Sequence, residues 1–211
     1  MNKDLLSNNY LIVKNFISKK EAEELGSSFI KKDFLYKDGD DQVPNCKAVY
    51  NPHYGVYLLN EKCDEISRII GSKVIPTYSY ARVYEKGHYL PIHKDRPACE
   101  ISLTVHLKSD TKWPIWVVTP EGLPMDIELE SGDAMLYLGC MSHHWRTKYT
   151  GDNYAQVFLH YVRKDGIYRS EVEIEKGDRD DKGQDDFYGL LEDYKKYFPS
   201  LTSYIHDNFG A

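Results

Sequence analysis

Residues 101–107 read ISLTVHL and residues 154–162 read YAQVFLHYV, and both runs alternate with a period of two. Successive side chains of an extended chain point to opposite faces. Ile101, Leu103, Val105 and Leu107 therefore share one face, while Ser102, Thr104 and His106 share the other. In the second run Ala155, Val157, Leu159 and Tyr161 oppose Tyr154, Gln156, Phe158 and His160. The run VIPTYSYARVYE at 74–85 behaves alike, with Tyr78, Tyr80, Arg82 and Tyr84 opposite Ser79, Ala81 and Val83. These polar faces are rich in Tyr, Thr and His and poor in Lys and Glu. A solvated strand face carries long charged side chains instead, as MDIELE at 125–130 does with Asp126, Glu128 and Glu130. The expectation is that the polar faces turn inward, into a barrel mouth that binds a small polar ligand.

Working outward, WPIWVV (113–118) and DAMLYL (133–138) add further short strands separated by turn signals. That spacing marks a mainly β chain, a sandwich or barrel. Residues 8–17 read as a strand leading into a helix, where Ser18 and Glu21 form a capping box and Ala22, Leu25 and Phe29 make one helical stripe. Residues 36–46 read as an exposed loop, and Cys63, Ile66 and Ile70 predict a helix over 61–70. The segment 175–186 is charged and glycine-containing, and FYGLLEDYKKYF after it predicts a terminal helix ended by Pro199. The whole, 1–211, is expected to be one domain: strand and helical support over 1–73, a β core over 74–174, and a charged loop with a helix over 175–211.

Composition narrows the function. A net charge of −6 argues against a general nucleic-acid binder, which carries a basic surplus. No apolar run approaches the roughly 20 residues that span a bilayer, and the N-terminal LIV is too short for a secretory signal, so a cytoplasmic protein with no membrane partner is expected. The four cysteines are scattered without a CxxC pair, which disfavours structural zinc.

His93-Lys94-Asp95 places two metal ligands at i and i+2. Alone this tripeptide means little, because chance supplies one about as often as not. Its context raises it. His144 follows a strongly β run and a turn, GDAMLYLGCMSHHW at 132–145, so a later strand can bring it back to the first pair. Two imidazoles and one carboxylate form the facial set of non-haem Fe(II), with three positions open. A 2-oxo acid fills two of those and O₂ the third.

The order Tyr84, Gly87, His93-x-Asp95, then Gly132-Asp133-Ala134, then His144 and a closing strand, resembles the prolyl 4-hydroxylase-like group of Fe(II)- and 2-oxoglutarate-dependent oxygenases. NFISKKEAEEL at 15–25 resembles the helix entry of that group, and the resemblance runs over about residues 8 to 165. HKDRPACEISLTVHL and HHWRTKYTGDNYAQVFLHYV resemble an uncharacterised microbial and viral branch. The resemblance implies a double-stranded β-helix (jelly roll) with flanking α-helices at both ends. It implies Fe(II), 2-oxoglutarate and O₂ as cofactor and co-substrates, with His93, Asp95 and His144 as metal ligands and catalytic centre. His144 is preferred over its neighbour His143 because the branch has a single His before Trp-Arg. It also implies hydroxylation of a peptide or small molecule, with peptidyl proline as the family analogy, and release of succinate and CO₂; no oligomeric state is implied. The pattern breaks at one place. Where the group has a Lys or Arg about ten residues after the distal His, this chain has Asn153, Tyr154 and Ala155. A dianion still needs a cation or several strong donors. Arg82, beside Tyr84 on one face, is the first candidate anchor and Arg146, two after His144, the second, with Tyr84, His106 and Tyr154 assisting. Two other classes compete: a cupin-like barrel holding Zn²⁺ or Mn²⁺ in the same triad, and a carbohydrate- or peptide-binding sandwich with structural histidines.

Overall fold

The computed structural model describes residues 1–31 and 37–172. In chain order its elements are α1 (Lys3–Asn8), β1 (Tyr10–Val13), α2 (Lys19–Lys31), β2 (Lys37–Gly39), β3 (Pro44–Tyr50), α3 (His53–Glu61), α4 (Cys63–Ile70), β4 (Val74–Glu85), β5 (Leu90–His93), β6 (Ile101–Ser109), β7 (Ile115–Val118), β8 (Pro124–Ile127), β9 (Ala134–Tyr137), β10 (His144–Arg146) and β11 (Asn153–Arg163). The strands form a seven-stranded sheet, ordered β1-β9-β6-β11-β4-β3-β2, and a four-stranded sheet, ordered β5-β10-β7-β8. Every pairing is antiparallel. Two facing antiparallel sheets in this order make a jelly roll, the mainly β class expected from the alternation.

The two faces of the large sheet part as their residues predict. Leu103, Val105, Leu107, Ala155, Val157, Leu159 and Tyr161 are fully buried in one cluster with Ala22, Leu25 and Phe29 of α2 and Leu58 and Ile66 of α3 and α4. The helices thus cover the outer, apolar face. Each fully buried Leu there contributes roughly 1.5–3 kcal/mol. The inner face carries Ser102, Thr104, Gln156 and His160, all buried although polar. Opposite them, Ile115, Val117 and Ile127 of the small sheet pack on Met135 and Tyr137 of β9. Outward-facing Asp126 and Glu128 are exposed, as expected for 125–130.

The helix entry at Ser18 differs in one detail from a full capping box. Ser18 Oγ accepts from Glu21 N–H at 3.2 Å. The Glu21 carboxylate, instead of returning to the backbone, accepts from the buried Tyr54 hydroxyl and so ties α2 to α3. The stretch expected as an exposed loop at 36–46 is mostly the β2–β3 hairpin, with Val43 and Cys46 buried. Its turn is built by Asp40, whose Oδ1 accepts from Gln42 N–H (3.1 Å) and Val43 N–H (2.8 Å), and by Gly39 at φ 87°. Helix α3 is an addition to the one expected helix in this region; α4 is the expected one. The charged loop and terminal helix expected over 175–211 lie outside the described residues. No helix among the described residues is long and apolar enough to cross a membrane.

Candidate metal centre and the pocket behind it

β5 and β10 are neighbours, and their register sets His93 directly opposite His144. The two imidazoles lie with centroids 4.2 Å apart. Each ring is oriented from behind: His93 Nδ1 meets Pro91 O at 2.8 Å, and His144 Nδ1 meets Ser142 O at 3.0 Å. A carbonyl oxygen only accepts, so both Nδ1 atoms carry hydrogen and both Nε2 lone pairs are left free. Asp95 Oδ1 lies 3.4 Å from each of these Nε2 atoms. His143, by contrast, is exposed.

Asp95 sits just past the end of β5 and is held by three contacts. Its N–H donates to Gly139 O (2.9 Å), and its Oδ2 accepts from Ser102 Oγ (3.0 Å). The third is a close approach. A Cβ on Gly139 would fall 2.5 Å from Asp95 Oδ2 and 2.3 Å from Cys99 O, so only glycine fits beside the carboxylate. Burial opposes ionisation of Asp95, but the neighbouring His144 and His93 favour the charged form and hold the carboxyl well below the usual carboxylate range.

An octahedral ion with ligand bonds of roughly 2.1 Å puts neighbouring donors about 3 Å apart. A carboxylate oxygen 3.4 Å from each of two free Nε2 atoms fits that demand, and His93, Asp95 and His144 group as potential metal ligands. Asp95, Cys99 and His160 form a second such group. Burial pushes the Cys99 thiol well up, and its sulfur lies 3.0 Å from the Tyr78 hydroxyl, so it is a poor thiolate donor.

Behind the triad the barrel narrows around Arg146, fully buried on the same strand face as His144. Its Nη1 donates to Trp113 O, and its Nη2 donates to Tyr154 OH (3.2 Å) and Gln156 Oε1 (3.1 Å). The guanidinium lies over the rings of Trp113 and Tyr154, at 4.7 and 4.6 Å. Among the described residues no carboxylate pairs with it. Gln156 Oε1 also accepts from Thr104 Oγ1 (3.3 Å), which leaves Gln156 Nε2, like Arg146 Nε, a buried donor without an acceptor. Donors exceed acceptors here, and a buried cation lacks its counter-ion.

The other residues singled out in the sequence have different surroundings. Arg82 pairs with Asp40 of the β2–β3 turn through Nη2 and donates through Nη1 to Tyr84 OH (3.2 Å). Tyr84 is buried edge-on to Trp113. His106, expected to donate to a ligand, has both ring nitrogens engaged, Nδ1 with Leu129 O (2.9 Å) and Nε2 with Ser109 Oγ (3.1 Å). Its ring stacks on that of Tyr154, with centroids 4.5 Å apart. Burial, helped by the Arg146 charge, pushes its pKa down to about 4, so it is neutral near pH 7. Gln156, Thr104 and Ser102 were not singled out as site residues, although the alternation had already put them on the inward face.

The sequence matches no protein-family model and no curated protein sequence. Solved structures do match. A prolyl 4-hydroxylase from Pseudomonas putida superposes with a TM-score of 0.60 at 12% identity, over 76% of this chain and 95% of that one. The chain has the jelly-roll fold of the Fe(II)- and 2-oxoglutarate-dependent oxygenases. A Trichoplax adhaerens prolyl hydroxylase, solved with a hypoxia inducible factor peptide fragment, gives 0.62 at 13% identity, over 81% and 89%. HygX from Streptomyces hygroscopicus, solved with nickel and 2-oxoglutarate bound, gives 0.60 at 11% identity, over 78% and 88%.

Proposed function

We propose that this protein is an Fe(II)- and 2-oxoglutarate-dependent dioxygenase that hydroxylates a peptide or small-molecule substrate. His93, Asp95 and His144 hold the metal, Arg146 anchors 2-oxoglutarate, and succinate and CO₂ are released. The observation that carries the reading is the pairing of two features in one barrel: a convergent two-histidine, one-carboxylate set and, behind it, a fully buried arginine with which no carboxylate among the described residues pairs. Bound Fe(II), with 2-oxoglutarate and O₂, supplies the oxidising chemistry that inserts oxygen into a C–H bond.

The chain's own groups bind, orient and exclude water. The Pro91 and Ser142 carbonyls fix the imidazole tautomers that present Nε2. Arg146 offers the distal carboxylate of 2-oxoglutarate a charge-assisted pair, roughly twice as strong as neutral hydrogen bonds. Gln156 Nε2 and the Tyr154 hydroxyl stand beside it, and Tyr84, Trp113 and His106 wall off water. Arg82, first candidate on alternation alone, gives way to Arg146 because Asp40 already neutralises it. Peptidyl proline is the substrate class to assay first, since two of the similar structures are prolyl hydroxylases.

A cupin-like barrel that only binds metal accounts for the triad but leaves Arg146 buried without purpose, at a cost of several kcal/mol. An anaerobic Fe(II) titration separates the two. The oxygenase develops a weak visible charge-transfer band on adding 2-oxoglutarate and then, in air, forms succinate. Metal binding with neither band nor succinate would establish the cupin-like alternative.

A further inference from the structure

On the inner face of the large sheet a chain of contacts runs from Asp95 away from the histidines. Ser102 Oγ lies 3.0 Å from Asp95 Oδ2, 2.9 Å from His160 Nδ1 and 3.1 Å from Cys99 O. A serine hydroxyl has one hydrogen and two lone pairs. The ionised Asp95 carboxylate is a stronger acceptor than a carbonyl, so it takes the hydrogen. Only lone pairs then face His160, and its Nδ1 must be the donor. With the Ser102 hydrogen directed at Asp95, the order is His160 Nδ1–H to Ser102 Oγ–H to Asp95 Oδ2, and each bond polarises the next.

His160 is held for this role. Its ring is gripped by Tyr78, with centroids 4.4 Å apart, and lies parallel to Phe158 within 11° at 6.2 Å. Ser102 has no surface exposure and His160 almost none.

We propose that Ser102 and His160 form a positioning relay for Asp95, engaging Oδ2 so that Oδ1 alone is presented to the space between His93 and His144. The proposal rests on the metal reading above. Neither residue touches the metal or 2-oxoglutarate; both act through Asp95. Partners of this kind typically change metal affinity by about 10- to 100-fold when removed.

The test is Mn(II) affinity, measured by titration calorimetry under nitrogen on the full chain, with thermal unfolding of each variant as a check on folding. Ser102→Ala and His160→Phe are expected to weaken Mn(II) by about tenfold or more. Asn places a donor where Nδ1 stands, so His160→Asn is expected to stay within about threefold of the parent. A ring that merely fills space between Tyr78 and Phe158 predicts the reverse: Phe tolerated, Asn damaging. Parent-like affinity in His160→Phe or in Ser102→Ala, or equal loss in the Phe and Asn variants, would overturn the relay while leaving the triad standing. A parent that binds no Mn(II) would instead defeat the metal reading, and the relay with it.

Discussion

The two ends of the barrel interior are built on opposite terms. At the metal end polar groups have partners within the chain: the Nδ1 atoms meet carbonyls, Asp95 Oδ2 meets Ser102, and only the two Nε2 atoms and Oδ1 converge on one another. At the far end the accounts do not balance, because among the described residues Arg146 has no counter-ion and two buried donors have no acceptor. On the proposed function, the first end is preorganised for a cation and the second for an anion. A molecule with a chelating oxo acid at one end and a free carboxylate at the other satisfies both.

Breaking the metal end should have the largest effect. Asp95→Ala and His144→Ala are each expected to abolish iron-dependent succinate formation with the fold intact by circular dichroism, whereas His143→Ala keeps it. Turnover surviving in His144→Ala but lost in His143→Ala would reverse the ligand choice.

Breaking the anion end should cost less. Arg146→Ala is expected to raise the 2-oxoglutarate KM by about 10- to 100-fold, or roughly 1.4–2.8 kcal/mol, with little change in iron affinity. Arg82→Ala should raise it less, since that guanidinium is already paired. Equal effects at both positions would mean that the contrast between the two arginines is wrong.

Much of this was legible in the sequence, and the part that was not has a definite cause. Alternation in ISLTVHL and YAQVFLHYV put Ser102, Gln156 and His160 on the inner face, and all three are buried there. Ser18, Ala22, Leu25 and Phe29 gave α2 by the same local logic. Alternation places Arg82 ahead of Arg146 as the candidate anchor, and the proposal reverses that order for a non-local reason. Asp40, which occupies Arg82, lies 42 residues earlier in a stretch expected as an exposed loop and found to be a hairpin turn. Misjudging that segment concealed the ion pair. The need for glycine at 139 was equally hidden, because it arises where the turn after β9 presses on the Asp95 carboxylate.

Gly139→Ala sharpens the comparison from the packing side. The added methyl meets the Cys99 carbonyl and the Asp95 carboxylate at once, so destabilisation of about 1–3 kcal/mol is expected, with weaker Mn(II) binding. A variant with parental stability and affinity would show that the approach relaxes freely.

The smallest expected effect concerns His106 at the anion end. Its folded pKa is near 4 against a usual 6.5. Between those values the unfolded chain binds the extra proton and the folded chain does not, so stability falls as pH falls through that window and levels off below it. From pH 7 to pH 5.5 this group alone contributes a loss of about 1 kcal/mol. His106→Phe keeps the stack on Tyr154 and should remove that slope, read from urea unfolding at the two pH values. An unchanged slope would place the titration elsewhere.

The central claim is that one molecule bridges the two ends. Its direct test is calorimetric titration of 2-oxoglutarate, under nitrogen, into the Mn(II)-loaded parent, the metal-free parent, and the Mn(II)-loaded Arg146→Ala variant. Binding is predicted in the first, strongly weakened in the other two. Equal affinity in all three, or no binding to the loaded parent, would contradict the account.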